Sequence, residues 1–246
     1  MAQRVFSGIQ PTGSLHLGNY LGAIQNYVEL QNRYDAIYCV VDQHALTSHP
    51  DPNDLRTNTF EAVKVLLACG LDPKRCILFI QSHVPAHTEL AWILSSVTAY
   101  GDLTRMTQFK DKAEQAATKG DIVNSGIFSY PVLQAADILL YQAAIVPVGE
   151  DQLQHLELAR DIARRFNTIY GETFVEPQAL LSPAKRILGL DGETKMSKSR
   201  GNDIGLLDPP EMVRKKLGPA KTDIKRVRRT DPGNPTIAIS SPSINP

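Results

Sequence analysis

"RVFSGIQPTGSLHLGN", Arg4–Asn19, is the stretch on which the fold turns. Its first half is a short β-like run that reaches a glycine, and "PTGS" is turn chemistry. From Leu17 the apolar residues Leu17, Tyr20, Leu21, Ile24, Tyr27 and Val28 then fall at helical spacing. A strand, a tight turn and a helix in that order form half of a βαβ unit. The pattern recurs. "AIYCVV", "CILFIQS" and "IVPVGED" read as further strands. Between and after them run helices from about Leu55 to Cys69, stopped by Gly70, then "TELAWILSSV" and "QLQHLELARDIARRF". Strands that alternate with helices pair in parallel through right-handed crossovers, so the expected class is α/β with a doubly wound parallel sheet. Ligands bind such sheets at the carboxyl ends of the strands, which points to "SGIQP", "VDQHA", "IQSH" and "VGEDQ" as walls of a site.

Composition agrees with a globular protein. The chain is 42% hydrophobic and 21% charged, and no apolar run is long enough to cross a bilayer. Met1–Arg4 leads straight into the first strand, which argues against a secretory signal. Cys39, Cys69 and Cys76 form no CxxC pair, as expected of buried thiols in a cytoplasmic protein rather than of disulfides or zinc ligands. Net charge is zero, yet Lys185–Arg229 holds thirteen Lys/Arg against six Asp/Glu, an excess of seven. That basic third suits phosphates, or else a solvated face.

Two short motifs carry the chemistry. "HLGN" places His16 at the start of a helix, where free N–H groups and partial positive charge suit a phosphate. "KMSKS", Lys195–Ser199, sets two lysines among small residues, a loop able to close on a polyphosphate. Alone, the first is an ordinary cap and the second an ordinary basic loop. His83 and His87 stand at the spacing of a helical metal pair, but Pro85 lies between them and no third ligand is evident. "YPVLQAADILLY", Tyr130–Tyr141, raises a different question. If Pro131 starts a helix, Tyr130, Gln134, Asp137 and Tyr141 share one stripe, opposite Val132, Ala135 and Leu139. A stripe with a lone carboxylate and no Lys, Arg or Glu looks like a pocket wall, although a polar stripe on an amphipathic helix usually faces water.

Together with "FSGIQPTGSLHLGNYLGA", "VDQHALT", "RMTQFKDK" and "VPVGEDQLQH", these motifs resemble tryptophanyl-tRNA synthetases of the bacterial or organellar type, within class I. The resemblance runs from about Arg4 to Asp231 in the family's order. It implies a Rossmann-like catalytic domain over 1–182 with a helical insertion near 100–141, a KMSKS loop region over 183–207, and the start of a helical anticodon-binding region over 208–246. That last region would be incomplete, ending in the irregular "TIAISSPSINP".

The implied reaction is activation of L-tryptophan by ATP, carried as its Mg²⁺ complex, followed by transfer to tRNA(Trp). No zinc or prosthetic group is expected. Catalytic roles carry over to His16, Asn19, Lys110, Lys195 and Lys198. The ATP site would comprise Gln10, Thr12, Gly18, Asn19, Val148, Gly149, Asp151, Gln152 and the loop Lys195, Met196, Ser197, Lys198 and Ser199. The tryptophan pocket would comprise Phe6, Gly8, Gln10, Val41, His44, Tyr130, Gln134, Asp137 and Gln152, with Asp137 accepting the indole N–H. The family also implies a homodimer. Gln134 departs from the methionine of many relatives, and Tyr-x-x-x-Gln-x-x-Asp is equally how tyrosyl enzymes build their pocket. A tyrosine-activating enzyme is therefore the near alternative. More distant are a nucleotidyltransferase making dinucleotide cofactors, disfavoured by the intact KMSKS, and a non-catalytic RNA-binding relative. The short C-terminal region implies that amino-acid activation survives while tRNA charging is impaired.

Overall fold

The computed structural model describes residues 3–119, 122–181 and 187–221. Five strands, β1 (Arg4–Ile9), β2 (Asp35–Val40), β3 (Cys76–Ile80), β4 (Ile145–Val148) and β5 (Gln178–Leu181), form one parallel sheet in the order β3-β2-β1-β4-β5. Sequence reading anticipated the first four. It missed β5, a four-residue edge strand that is mostly exposed and so carries no alternation of apolar residues.

Ten α-helices are described: α1 (Leu17–Asn19), α2 (Gln25–Leu30), α3 (Asp42–Ala45), α4 (Pro52–Ala68), α5 (Ala86–Ser95), α6 (Tyr100–Thr104), α7 (Thr107–Lys119), α8 (Ser125–Leu139), α9 (Leu153–Tyr170) and α10 (Pro210–Leu217). Neighbouring residues of the central strands divide between two cores, as the two-residue period of a strand requires. Val5, Ala36, Tyr38 and Val40 pack with Ile24, Leu30 and Leu66 from α2, α4 and the turn before α2. Phe6, Ile37 and Cys39 pack on the other face with Leu94, Ile138, Leu139 and Ile162 from α5, α8 and α9. Helices thus cover both faces of the sheet, which is the doubly wound arrangement.

Two local departures from the expected helices matter for the site. Between α1 and α2 the residues Tyr20–Ile24 form a π-helical turn. Its extra residue rotates the apolar stripe, leaving Leu21 43% exposed while Ile24 and Tyr27 are buried. Pro131, expected at a helix start, instead lies inside α8, which begins at Ser125 with the Asn124 side chain accepting the Ile127 N–H at 3.0 Å. Proline has no N–H to return to the Ile127 carbonyl. Both Pro131 and its neighbour Tyr130 are buried, so packing supports a position that helix propensity opposes. The stripe Tyr130, Gln134 and Asp137 survives the shift, because its spacing depends on the helix and not on where the helix begins. Tyr141 lies just past the helix end.

Candidate active site

Strand order reverses at β1: the chain winds outward through β2 and β3, then returns to β4 on the other side. Ligand crevices form at such switch points. Here β1 and β4 are in register only at Val5↔Ile145, so their carboxyl ends are free to part. A cavity of about 340 Å³ opens there, within the range of small-molecule sites. Phe6, Gly8 and Gln10 line it from β1 and its exit, Val41 and His44 from the end of β2, and Val148, Gly149 and Gln152 from the end of β4. From α8 come Tyr130, Gln134 and Asp137. Every residue expected in the amino-acid pocket therefore meets at one cavity. The π turn brings Gly22, Ala23, Asn26 and Tyr27 to the same wall, none of which was anticipated.

Asp137 is the chemical centre of this cavity. It is 2% exposed, and its carboxylate is held from three sides. Gln81 Nε2 donates to Oδ1 at 2.7 Å, His87 Nδ1 lies 2.6 Å from the same oxygen, and His44 Nε2 lies 2.8 Å from Oδ2. Burial pushes the Asp137 pKa up, but the bonds from His44 and His87 outweigh it and hold the group below the ordinary carboxylate value. A lowered folded pKa means that the stability contributed by the ionised group is complete above the unfolded value near 3.9. It is lost as pH falls through the folded value. Urea midpoints measured across that acid window should therefore fall more steeply for the wild type than for Asp137→Asn, and parallel slopes would contradict the assignment.

Sequence reading missed Gln81 and His87, both 0% exposed. His87 had been noticed only as one half of an improbable metal pair. No group of three or more potential metal-binding side chains occurs among the described residues. Tyr141 completes the cluster, with its hydroxyl 2.9 Å from His87 Nε2 and its ring stacked on Phe6 at 5.7 Å. Burial is the main reason the Tyr141 phenol is pushed up to about 12, so it stays protonated and able to donate. The Tyr130 hydroxyl lies 2.7 Å from His155 Nε2 and donates to Gln108 Oε1 at 3.2 Å. Burial pushes this phenol to about 12 as well.

A second cluster stands beside the cavity and unites the two short motifs. Leu17 N–H donates to the Ile204 carbonyl and Leu206 N–H to the Leu15 carbonyl, each at 2.8 Å. A segment following KMSKS thus straps the turn that carries His16. Asn19 Oδ1 accepts the His16 backbone N–H at 3.0 Å. A Cβ on Gly18 would lie 3.0 Å from the His16 ring and 3.4 Å from Met196 Cβ. Gly13, at φ +150°, sits where an added Cβ would be 3.4 Å from Lys198 Nζ. Burial lowers the His16 pKa, Asp203 counters that and Lys195 reinforces it, so the imidazole is neutral at pH 7.

Thr12, Lys195 and Lys198 are exposed beside this turn, and Met196 is buried under it. Asp151 is exposed, with Oδ2 accepting from Gln152 Nε2 at 3.2 Å. Lys110 does not line the cavity and is exposed on α7, half a turn from Gln108, which does line it. The Ser199 side chain, residues 183–186 of the KMSKS region and the tail beyond 221 lie outside the described residues.

The loop has its own internal frame. Asn202 Oδ1 accepts Ser197 N–H at 2.8 Å, while its Nδ2 donates to Asp191 Oδ2 at 2.8 Å and Thr194 Oγ1 at 2.9 Å. Thr194 and the neighbouring backbone N–H groups hold the Asp191 carboxyl far below its ordinary value. A Cβ on Gly189 would collide with Asn202 Nδ2. Gly189→Ala should therefore disturb the lysine loop by about 1–3 kcal/mol of overpacking. The expected readout is a lower urea midpoint of unfolding, and an unchanged midpoint would show that Asn202 moves freely.

Comparison with known proteins agrees with this geometry. Residues 2–241 match the family of class I tRNA synthetases for W and Y. The tryptophan–tRNA ligase of Deinococcus radiodurans is 56% identical over 237 residues, covering 94% of this chain and 71% of that protein. That of Wolinella succinogenes is 54% identical over 235 residues, again covering 94% of this chain and 71% of the relative. The Campylobacter jejuni tryptophanyl-tRNA synthetase complexed with ADP and tryptophan superposes with a TM-score of 0.83 at 42% identity, covering 90% of this chain and 68% of that one. A tyrosyl-tRNA synthetase from Archaeoglobus fulgidus, complexed with L-tyrosine, gives 0.72 at 27% identity, covering 90% and 67%. With a doubly wound sheet, a switch-point cavity and a match to the family model over residues 2–241, the chain belongs to the class I tRNA synthetases of the tryptophan and tyrosine group.

Proposed function

We propose that this chain activates L-tryptophan with ATP and transfers the tryptophanyl group to tRNA(Trp). The observation that carries the reading is the ionised, buried Asp137 at the wall of the switch-point cavity, beside the apolar Phe6, Val41 and Ile138. Indole has one polar hydrogen, and a carboxylate is the acceptor that holds it most strongly. The names and identities of the relatives support tryptophan over tyrosine, at 56% and 54% against 27%.

In the first step the substrate carboxylate attacks the α-phosphorus. An oxygen–phosphorus bond forms, the bond to the β-phosphate bridge breaks, and pyrophosphate leaves with the electron pair. The attacking carboxylate is already ionised, so no general base is required, and rate comes from positioning and charge stabilisation. We assign His16, Asn19, Lys195 and Lys198 to the phosphates, with Lys110 reaching in from α7. Gly149, Asp151 and Gln152 would hold the ribose and the amino end of tryptophan, Val148 would lie near the nucleotide, and Mg²⁺ would arrive on the triphosphate as part of the substrate.

Pyrophosphate exchange with tryptophan, with tyrosine and with no amino acid tests the reading. Exchange with tryptophan alone is expected, and exchange with tyrosine alone would replace it. A charging assay with tRNA(Trp) tests the second step. The division at 182 and 207 belongs to the same proposal, as do a cytoplasmic location and a homodimer. Trp92 at 80% exposure, with Ile93 and Tyr100, offers an apolar surface for a second copy. A molar mass of one chain by light scattering would remove the dimer.

A further inference from the structure

His87 is fully buried, titratable and close to the cavity, yet nothing in the activation chemistry uses it. Its partners define what it does. Nδ1 faces a carboxylate oxygen at 2.6 Å and so carries its hydrogen in either charge state, while Nε2 is engaged by the Tyr141 hydroxyl at 2.9 Å. The ring is clamped at both nitrogens. An ionised carboxylate offers two acceptor sites on each oxygen. On Asp137, Oδ1 takes Gln81 at 2.7 Å and His87 at 2.6 Å, which fills it. Among the described residues, Oδ2 takes His44 alone, at 2.8 Å, and keeps one site. His44 and Asp137 line the cavity, whereas Gln81 and His87 do not. The oxygen with spare capacity is therefore the one on the cavity side.

We propose that His87, clamped by Tyr141 and assisted by Gln81, is a positioning residue that saturates Asp137 Oδ1 and so presents Oδ2 alone to the indole N–H. The inference rests on the tryptophan reading above. It follows that loss of the His87 donor releases Oδ1 to compete and lets the carboxylate rotate. The damage falls on recognition of the N–H and not on ATP.

The test uses the purified chain, tryptophan, and the analogue 3-(1-benzothienyl)alanine, in which sulfur replaces the indole N–H. Pyrophosphate exchange is measured for both amino acids with wild type, His87→Asn, His87→Gln and His87→Phe. Asparagine places an amide N–H near Nδ1, whereas glutamine places one near Nε2. In wild type, tryptophan should be preferred by kcat/KM on the order of 100-fold or more, since the analogue leaves a buried acceptor unpaired. His87→Phe should shrink that preference by about 10- to 100-fold with the KM for ATP within about twofold, as expected for a lost hydrogen bond to a charged group. His87→Asn should retain most of the preference and His87→Gln should not. If His87→Phe does not fold, the Asn and Gln pair decides alone. Equal losses for both amino acids, or identical behaviour of Asn and Gln, would make His87 merely structural and overturn the proposal. A wild type active with tryptophan but with one preference ratio in all variants sinks the positioning role only. A wild type inactive with tryptophan sinks both it and the functional reading.

Discussion

Asp137→Asn is expected to lower tryptophan-dependent pyrophosphate exchange by on the order of 10²- to 10⁴-fold while the KM for ATP moves less than about twofold. The side chain keeps its volume, so no cavity forms. Its carbonyl must take the place of Oδ1 to satisfy Gln81 and His87. The amide NH₂ then faces His44 and the incoming indole N–H. A charge-assisted bond is lost, worth about 1.5–3 kcal/mol, and a buried donor is left opposed to a donor, about 1–3 kcal/mol more. The combined range, about 2.5–6 kcal/mol, spans the stated loss in rate. Tryptophan KM and kcat measured at saturating ATP check it. An unchanged KM for tryptophan would mean that the carboxylate serves only the fold.

Lys198→Ala is the other large effect. Negative charge accumulates on the departing pyrophosphate, and a fixed cation there acts mainly in the transition state. Lys198 lies over Gly13, at the turn that leads to the His16 helix start, so under the proposed assignment it is already near where that charge would develop. The expected loss is about 10²- to 10³-fold in kcat with the KM for tryptophan nearly constant. Lys198→Arg should recover part of the rate. A rise in tryptophan KM of the same size as the fall in kcat would show that the lysine shapes the pocket instead.

The legible parts of the molecule were those written in local pattern. β1, the turn at Gly13 and the helix start at His16 are consecutive in the chain, and the apolar runs of β2 and β3 announce strands, β2 buried and β3 at the sheet edge with Ile77 exposed. β5 escaped because Gln178–Leu181 is short and exposed, and exists as a strand only through its pairing with β4. Pro131 misled because local rules place proline at a helix start, whereas here burial of its neighbours overrides them. The π turn is likewise invisible in composition. His87 illustrates the deeper limit. Its nearest chemical partner is Asp137, fifty residues away in sequence, and its closest histidine by spacing, His83, takes no part in the cluster. Spacing in the chain suggested a metal pair, and only the packing of α5 against α8 showed a carboxylate clamp.

The strap from Ile204 to Leu206 has a consequence for the entropy of the lysine loop. The loop is tied on one side by Met196 N–H to the Ile187 carbonyl, and on the other by the two backbone bonds to Leu15 and Leu17. A short loop held at both ends samples little space, because most of its dihedral freedom is already gone when the chain folds. The ordering of Lys195 and Lys198 therefore falls largely on folding, and under the proposed assignment ATP would meet two cations already in place. Nucleotide affinity in this protein should accordingly depend on the loop's anchors as much as on its charges.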